Sequence, residues 1–215
     1  GARIQTLTLS YITHLENTAG GAPITFTAAN LGTATGDRYV IVGVGGGTTT
    51  DWAGTAISSV TIGGVTATLA GSQIISSTDP SSTSGIFYAL VPTGVTGDIV
   101  VTFNASCYTC GIAIWTATGL NSATPTATAN DNATPYTQSI TINTGGFAIG
   151  FAHAGTGATN ATCAWTNLTE RSDAIANVND SYSSADTSTA GSPSVTATWT
   201  GSNTLRDTMV LAAWR

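Results

Sequence analysis

The fold of this chain is decided by an apolar stretch, Tyr39-Val40-Ile41-Val42-Gly43-Val44. It lacks polar alternation, so both faces of this strand must be covered by other parts of the chain. Three further stretches, residues 111–115, 147–151 and 209–214, are also apolar, and each carries small residues on its second face. We expect these four strands near the centre of packed sheets, because central strands are covered on both sides.

Elsewhere, apolar and polar residues alternate with period two, as in Val65-Thr66-Ala67-Thr68-Leu69. This period is typical of half-buried strands, and β-branched residues are abundant while strong helix formers are scarce. Turn signals rich in Gly and Pro separate the strands at short, regular spacing. The chain is therefore predicted to be all-β, an antiparallel jelly-roll-like β-sandwich. The glycine run Gly43-Val44-Gly45-Gly46-Gly47 precedes no helix and is predicted to be a flexible loop.

The two halves of the chain have similar patterns in the same order. Residues 36–43 match residues 144–150, and the segment ending at Trp115 matches the C-terminal residues 210–214. This weak repeat indicates an internal duplication. We favour one sandwich domain over residues 1–215; the alternative is two tandem sandwiches, residues 1–120 and 121–215.

Charge is scarce in this sequence, and the scarcity excludes several function classes. Charged residues make up 7% of the chain and the formal net charge is −6, against about 25% charged residues in average domains. All five basic residues are arginines scattered along the chain, so there is no basic patch for nucleic acid. No apolar run approaches the roughly 18 residues of a membrane helix. We therefore expect neither nucleic-acid binding nor membrane insertion.

Catalytic signals are weak. The two glutamates, Glu16 and Glu170, form no pair of the kind that glycosidases use, and no Gly-x-Ser-x-Gly elbow is present. His153 lies among apolar residues, which favours a satisfied core or rim histidine. A hydrolase would require His14 or His153 beside a carboxylate and a nucleophilic serine or threonine. We predict that the protein is not an enzyme, with no catalytic or cofactor-binding residues.

Several residues are candidates for facing a ligand. Among the five tryptophans, those outside the strongly apolar strands are the better candidates for stacking on a sugar. An oxygen-rich segment of Asp and Asn residues follows later in the chain, and calcium is a candidate there because it prefers oxygen ligands. The spacing fits no EF-hand, so no metal site is assigned. The candidate ligand-facing residues are Trp52, Trp165, Asp173, Asn177, Asn179 and Asp180.

The three cysteines are Cys107, Cys110 and Cys163. The first two have CxxC spacing, but no second pair or nearby histidine completes a zinc site. A loop between two strands is the favoured interpretation, with a local disulfide as an open alternative.

Two sequence segments in the first half are similar to those of a known group of proteins. They are Thr25-Phe26-Thr27-Ala28-Ala29-Asn30-Leu31-Gly32 and Gly97-Asp98-Ile99-Val100-Val101-Thr102-Phe103. With the stretch at residues 36–44, they resemble Thr/Gly/Ala-rich β-sandwich virion structural proteins of tailed bacteriophages, which are head decoration, head fibre or tail components. The resemblance covers most of the first half and only the strand pattern of the second.

The resemblance implies a non-enzymatic structural protein of the virion that acts through self-association and lattice binding. It also implies a homo-oligomer, with other virion proteins and host surface glycans as partners. The candidate ligand-facing residues support an alternative, a carbohydrate-binding module or surface adhesin on a secreted or extracellular protein.

Overall fold

A computed structural model describes residues 6–48, 56–75, 81–132, 136–155, 161–177, 180–201 and 206–215. Within these ranges the chain forms strands and no helix, so no described segment could cross a membrane as a helix. The all-β prediction is confirmed. The first half contains β1 (Thr8–Asn17), β2 (Ile24–Asn30), β3 (Tyr39–Thr48), β4 (Ile57–Ile62), β5 (Val65–Thr66), β6 (Thr68–Ile75), β7 (Ser81–Leu90), β8 (Thr96–Phe103) and β9 (Thr109–Thr118). The second half contains β10 (Ala127–Asp131), β11 (Tyr136–Ser139), β12 (Phe147–Gly155), β13 (Thr162–Thr166), β14 (Thr169–Asn177), β15 (Asp180–Thr187), β16 (Ser194–Thr200) and β17 (Asp207–Trp214).

The strands build four antiparallel sheets, two from each half. In the first half the inner sheet has the order β1-β9-β3-β7-β6 and the outer sheet β2-β8-β4-β5. In the second half the inner sheet has the order β10-β17-β12-β15-β14 and the outer sheet β11-β16-β13. The two inner orders are identical when β1, β9, β3, β7 and β6 are matched with β10, β17, β12, β15 and β14. Corresponding strands therefore occupy related places, as the sequence repeat predicts.

Three apolar cores separate the four sheets. One lies between the two sheets of the first half, where Val42 and Ile114 meet Val60 and Val101. A second lies between the two sheets of the second half, with Leu211 and Val195 in one cluster. The antiparallel β-sandwich is thus confirmed, whereas the jelly-roll detail stays a prediction.

The third core lies between the two inner sheets and joins the halves. It contains Trp115 from β9 and Phe147 and Trp214 from the second half. The Trp214 ring stacks on Phe147 at 5.6 Å between ring centroids. All four strands predicted to be central are interior strands of these inner sheets, which confirms their placement. The halves therefore share one core. The division of the chain into one domain or two stays a prediction.

Candidate functional site

The glycine run lies inside β3, where Gly43, Gly45 and Gly47 are on the face at which the halves meet and Gly46 is on the opposite face, against Phe103. This strand pairs with β7 as far as Thr48 and with β9 as far as Gly47. The prediction of a flexible loop is therefore wrong. The physical reason is close packing. A Cβ at Gly45 would lie 2.9 Å from ring atoms of both Phe151 and Tyr182. The bare backbone therefore forms a floor that receives large side chains from the second half.

Opposite this floor, the buried face of β12 changes from apolar to polar at His153. The Ser82 hydroxyl lies 2.8 Å from His153 Nδ1, and His153 Nε2 lies 3.0 Å from Asp180 Oδ1. With Asp180 as a carboxylate, Nε2 carries the proton and donates, while Nδ1 accepts from Ser82. The prediction of a satisfied core histidine is confirmed, because His153 is buried and both ring nitrogens have partners.

Tyr182 extends this polar cluster across the junction. Its ring stacks on His153 at 4.7 Å and 14°, and its hydroxyl lies 2.7 Å from Thr109 Oγ1. Burial raises the pKa of the Tyr182 phenol well above its usual range, and the nearby Asp180 raises it further. Ser82 and Thr109 belong to the first half and the other three residues to the second. The cluster therefore links the halves by two polar contacts beside their apolar core.

Ser82, His153 and Asp180 form a hydrogen-bonded series of the kind that a hydrolase would require, a hydroxyl beside a histidine beside a carboxylate. Its setting differs from that of a nucleophile. Ser82 is 1% exposed, and it lies inside β7 opposite Gly47 on one side and Ile75 on the other. A serine nucleophile needs a substrate carbonyl within reach and donors aimed at the developing oxyanion. In the described part of the chain, the hydroxyl is instead closed between two sheets.

The sheet separates the predicted oxygen-rich residues into two groups. Asp173 accepts a hydrogen bond from the Cys163 backbone N–H at 3.0 Å, on the face toward the outer sheet. Asp180 lies on the opposite face, toward His153. Burial raises the pKa of Asp173, and the Cys163 N–H opposes that rise. Among the described residues, no group of three or more His, Cys, Asp or Glu side chains could hold a metal ion.

Asn177, the last residue of β14, and Asp180, the first residue of β15, do lie together as a pair across the two strands. The Asp180 backbone N–H donates to Asn177 Oδ1 at 2.9 Å. Both residues line an open cleft of about 480 Å³, together with Tyr108 and segments after β1 and before β9. This cleft contains residues of both halves.

Trp165, one of the two candidate tryptophans, does not line this cleft. Trp165 is partly buried against the core between the second half's sheets. Its ring lies over Gly150, and its indole N–H donates to Ser183 Oγ at 2.8 Å. Trp52 and Asn179 fall outside the described residues. A ligand-facing role for these three residues stays a prediction.

The three cysteines are free and buried. The Cys107 thiol donates to the Thr109 carbonyl oxygen at 2.7 Å. Burial raises the pKa of Cys107 to about 12 and also raises the pKa values of Cys110 and Cys163. In the structure the CxxC pair is therefore two buried free thiols and not a disulfide.

Comparisons of the chain with protein-family models, with curated proteins and with solved structures find no match.

Proposed function

We propose that the protein is a non-enzymatic structural component of a phage virion, as a capsid decoration, head fibre or tail-associated protein. It acts by self-association and by binding to a protein lattice, and its location is the virion. The alternative location is the extracellular surface, to which the protein would be secreted. The observation that carries the proposal is that, in the described part of the chain, four of the scarce charged residues are buried.

The fold removes charge from an already charge-poor surface. Arg38 is fully buried, and its guanidinium donates to the carbonyl oxygens of Gly32, Val91, Thr93 and Gly94 at 2.8–3.0 Å. Three aspartates are also buried: Asp180, Asp186 and Asp207.

Much of the outer surface is formed by threonine and serine. On β2, Thr25 and Thr27 are exposed on either side of buried Phe26. On β16, Ser194 and Thr198 are exposed beside buried Val195 and Ala197. Hydroxyl groups cost less to desolvate than charges, so a neighbouring subunit that hydrogen-bonds to them can cover such a surface at a lower cost than a charged one.

Sedimentation equilibrium of the purified chain tests the self-association. We expect association over the micromolar range that changes little between 50 and 500 mM NaCl (about 14 Å and 4 Å screening lengths), because neutral contacts are not screened. A monomer at every concentration would contradict self-association. Association that disappears at high salt would contradict its neutral character.

Carbohydrate binding is the second candidate function. It is favoured by one observation, which is that Asn177 and Asp180 line a cleft beside an exposed tyrosine. The two functions are compatible, since a virion protein can also bind host glycans. Carbohydrate binding is tested with a glycan array, with and without calcium.

A further inference from the structure

The cleft between the halves has the size and position of a small-ligand site. Its volume of about 480 Å³ lies within the range of about 300–1,000 Å³ found for ligand pockets. The first half contributes residues 18–21 and 106–108, and the second half contributes Asn177 and Asp180. The cleft therefore exists only when the halves are docked.

The lining selects the charge of the ligand. Asp180 supplies a carboxylate, and none of the described lining residues is Arg, Lys or His. An anionic ligand would meet like charge with no cation to compensate it. A phosphate, a sulfate or an acidic sugar is therefore disfavoured.

The remaining groups fit a neutral polyhydroxyl ligand. The Asp180 side chain is 5% exposed and its Oδ1 is bound to His153, so its second carboxylate oxygen is the one that can accept from a ligand. The hydroxyls of Thr18 and Ser106, which line the same cleft, can both donate and accept. Tyr108 lines the same cleft and is 43% exposed. An aromatic ring beside hydrogen-bonding groups suits a sugar, which has an apolar C–H face and a rim of hydroxyls.

The buried cluster holds Asp180 in place for this role. His153 Nε2 binds Oδ1 of the carboxylate at 3.0 Å, and Ser82 holds the other side of the imidazole. Asn177 fixes the backbone of the same residue. Gly47 allows the approach, because a Cβ there would lie 2.7 Å from Asp180 Oδ1. A carboxylate positioned before binding reduces the entropy lost when a ligand is captured.

We propose that this cleft binds a neutral saccharide, with the Tyr108 ring against one sugar face and the Asp180 carboxylate accepting from sugar hydroxyls. His153 and Ser82 are positioning residues that act through Asp180. The inference deepens the second candidate function and rests on it, while the proposed role in assembly is independent of it.

The test is a glycan array of neutral and acidic saccharides, followed by calorimetry of the best neutral ligand with the full chain. Two variants remove the proposed contacts, Tyr108→Ala and Asp180→Asn. Two matched controls make similar changes at exposed positions away from the cleft, Leu90→Ala and Asp98→Asn. Circular dichroism reports folding of every variant.

We expect wild type to bind neutral but not acidic saccharides. Tyr108→Ala should weaken binding about tenfold and Asp180→Asn about tenfold to a hundredfold, given the usual strengths of aromatic contacts and charged hydrogen bonds. Both controls should bind like wild type. Because Tyr108 is exposed, its variant decides the question if Asp180→Asn does not fold.

Other outcomes overturn the inference in distinguishable ways. Saccharide binding that is unchanged in folded Tyr108→Ala would exclude this cleft and leave the second candidate function standing. Binding to no saccharide would overturn both the cleft assignment and carbohydrate binding, without touching self-association. Binding of calcium or an ammonium ion in place of a sugar would show that Asp180 serves a cation.

Discussion

A methyl group added at Gly43 tests whether the halves are docked as closely as the fold requires. The Cβ of Gly43→Ala would overlap Cδ2 of Phe151 and lie 2.8 Å from its Cγ. Ordinary carbon contacts are about 3.5–4.0 Å, so the ring or the whole sheet must shift. Phe151 is 1% exposed and belongs to the shared core, so it has little room to move.

Overpacking of this kind costs about 1–3 kcal/mol of unfolding free energy. For a chain of this length, that corresponds to a fall of about 2–12 °C in Tm. The assay is thermal and urea unfolding followed by circular dichroism. The control is Gly36→Ala, where an added Cβ meets nothing within 4 Å; its stability should stay equal or rise by about 0.4–1 kcal/mol.

A double-mutant cycle identifies the contact. Phe151→Leu shrinks the side chain that the new methyl group meets, so Gly43→Ala should cost less in that background, with a coupling of about 0.5–3 kcal/mol. Wild-type stability in Gly43→Ala, or no coupling to residue 151, would refute the docking of the two inner sheets.

Four further predictions follow from particular contacts. The three buried thiols should not react with Ellman's reagent at pH 8 in the folded protein and should all react in guanidinium, whereas a reactive native thiol would contradict their burial. Because burial raises the pKa of Asp173, the folded state binds the proton of this carboxyl group more tightly than the unfolded state does. Ionisation of the Asp173 carboxyl therefore disfavours folding. Asp173→Asn should therefore raise Tm at pH 7, and its advantage should vanish below about pH 4, near the unfolded pKa; a Tm difference independent of pH would argue against it. Ser82 should resist a fluorophosphonate probe, and labelling that is lost in Ser82→Ala would overturn the non-enzymatic proposal. Deletion of residues 209–215 should abolish folding because β17 is an interior strand, and a deletion variant that kept a cooperative transition would disprove this.

The central strands could be predicted from the sequence because their signal is local. Apolar residues on one face and small residues on the other indicate coverage on both sides, as in β3 and β12. The glycine run could not be interpreted in the same way. Gly45, Gly46 and Gly47 have the local appearance of a loop, but they pair with β7 and β9. The side chains that pack over Gly45, Phe151 and Tyr182, come more than 100 residues later in the chain.

The candidate site could be predicted even less, because its residues are brought together by tertiary structure. Ser82 and His153 are 71 residues apart and belong to different halves, so no spacing rule joins them. Asp173 and Asp180 looked like one cluster because they are close in sequence. The register of β14 with β15 pairs Asp173 with Ser183, which places the two carboxylates on opposite faces. Tyr108 had no signal beyond its position beside a cysteine.

The proposed virion role is tested most directly by quantitative mass analysis of purified phage particles from the source. Digestion should use chymotrypsin, since the chain has only five basic residues, all arginine. The account predicts peptides of this chain in particles at a fixed ratio to the major capsid protein, retained after a high-salt wash. If peptides are found in the lysate but not in purified particles, the protein is no virion component and the central claim is wrong.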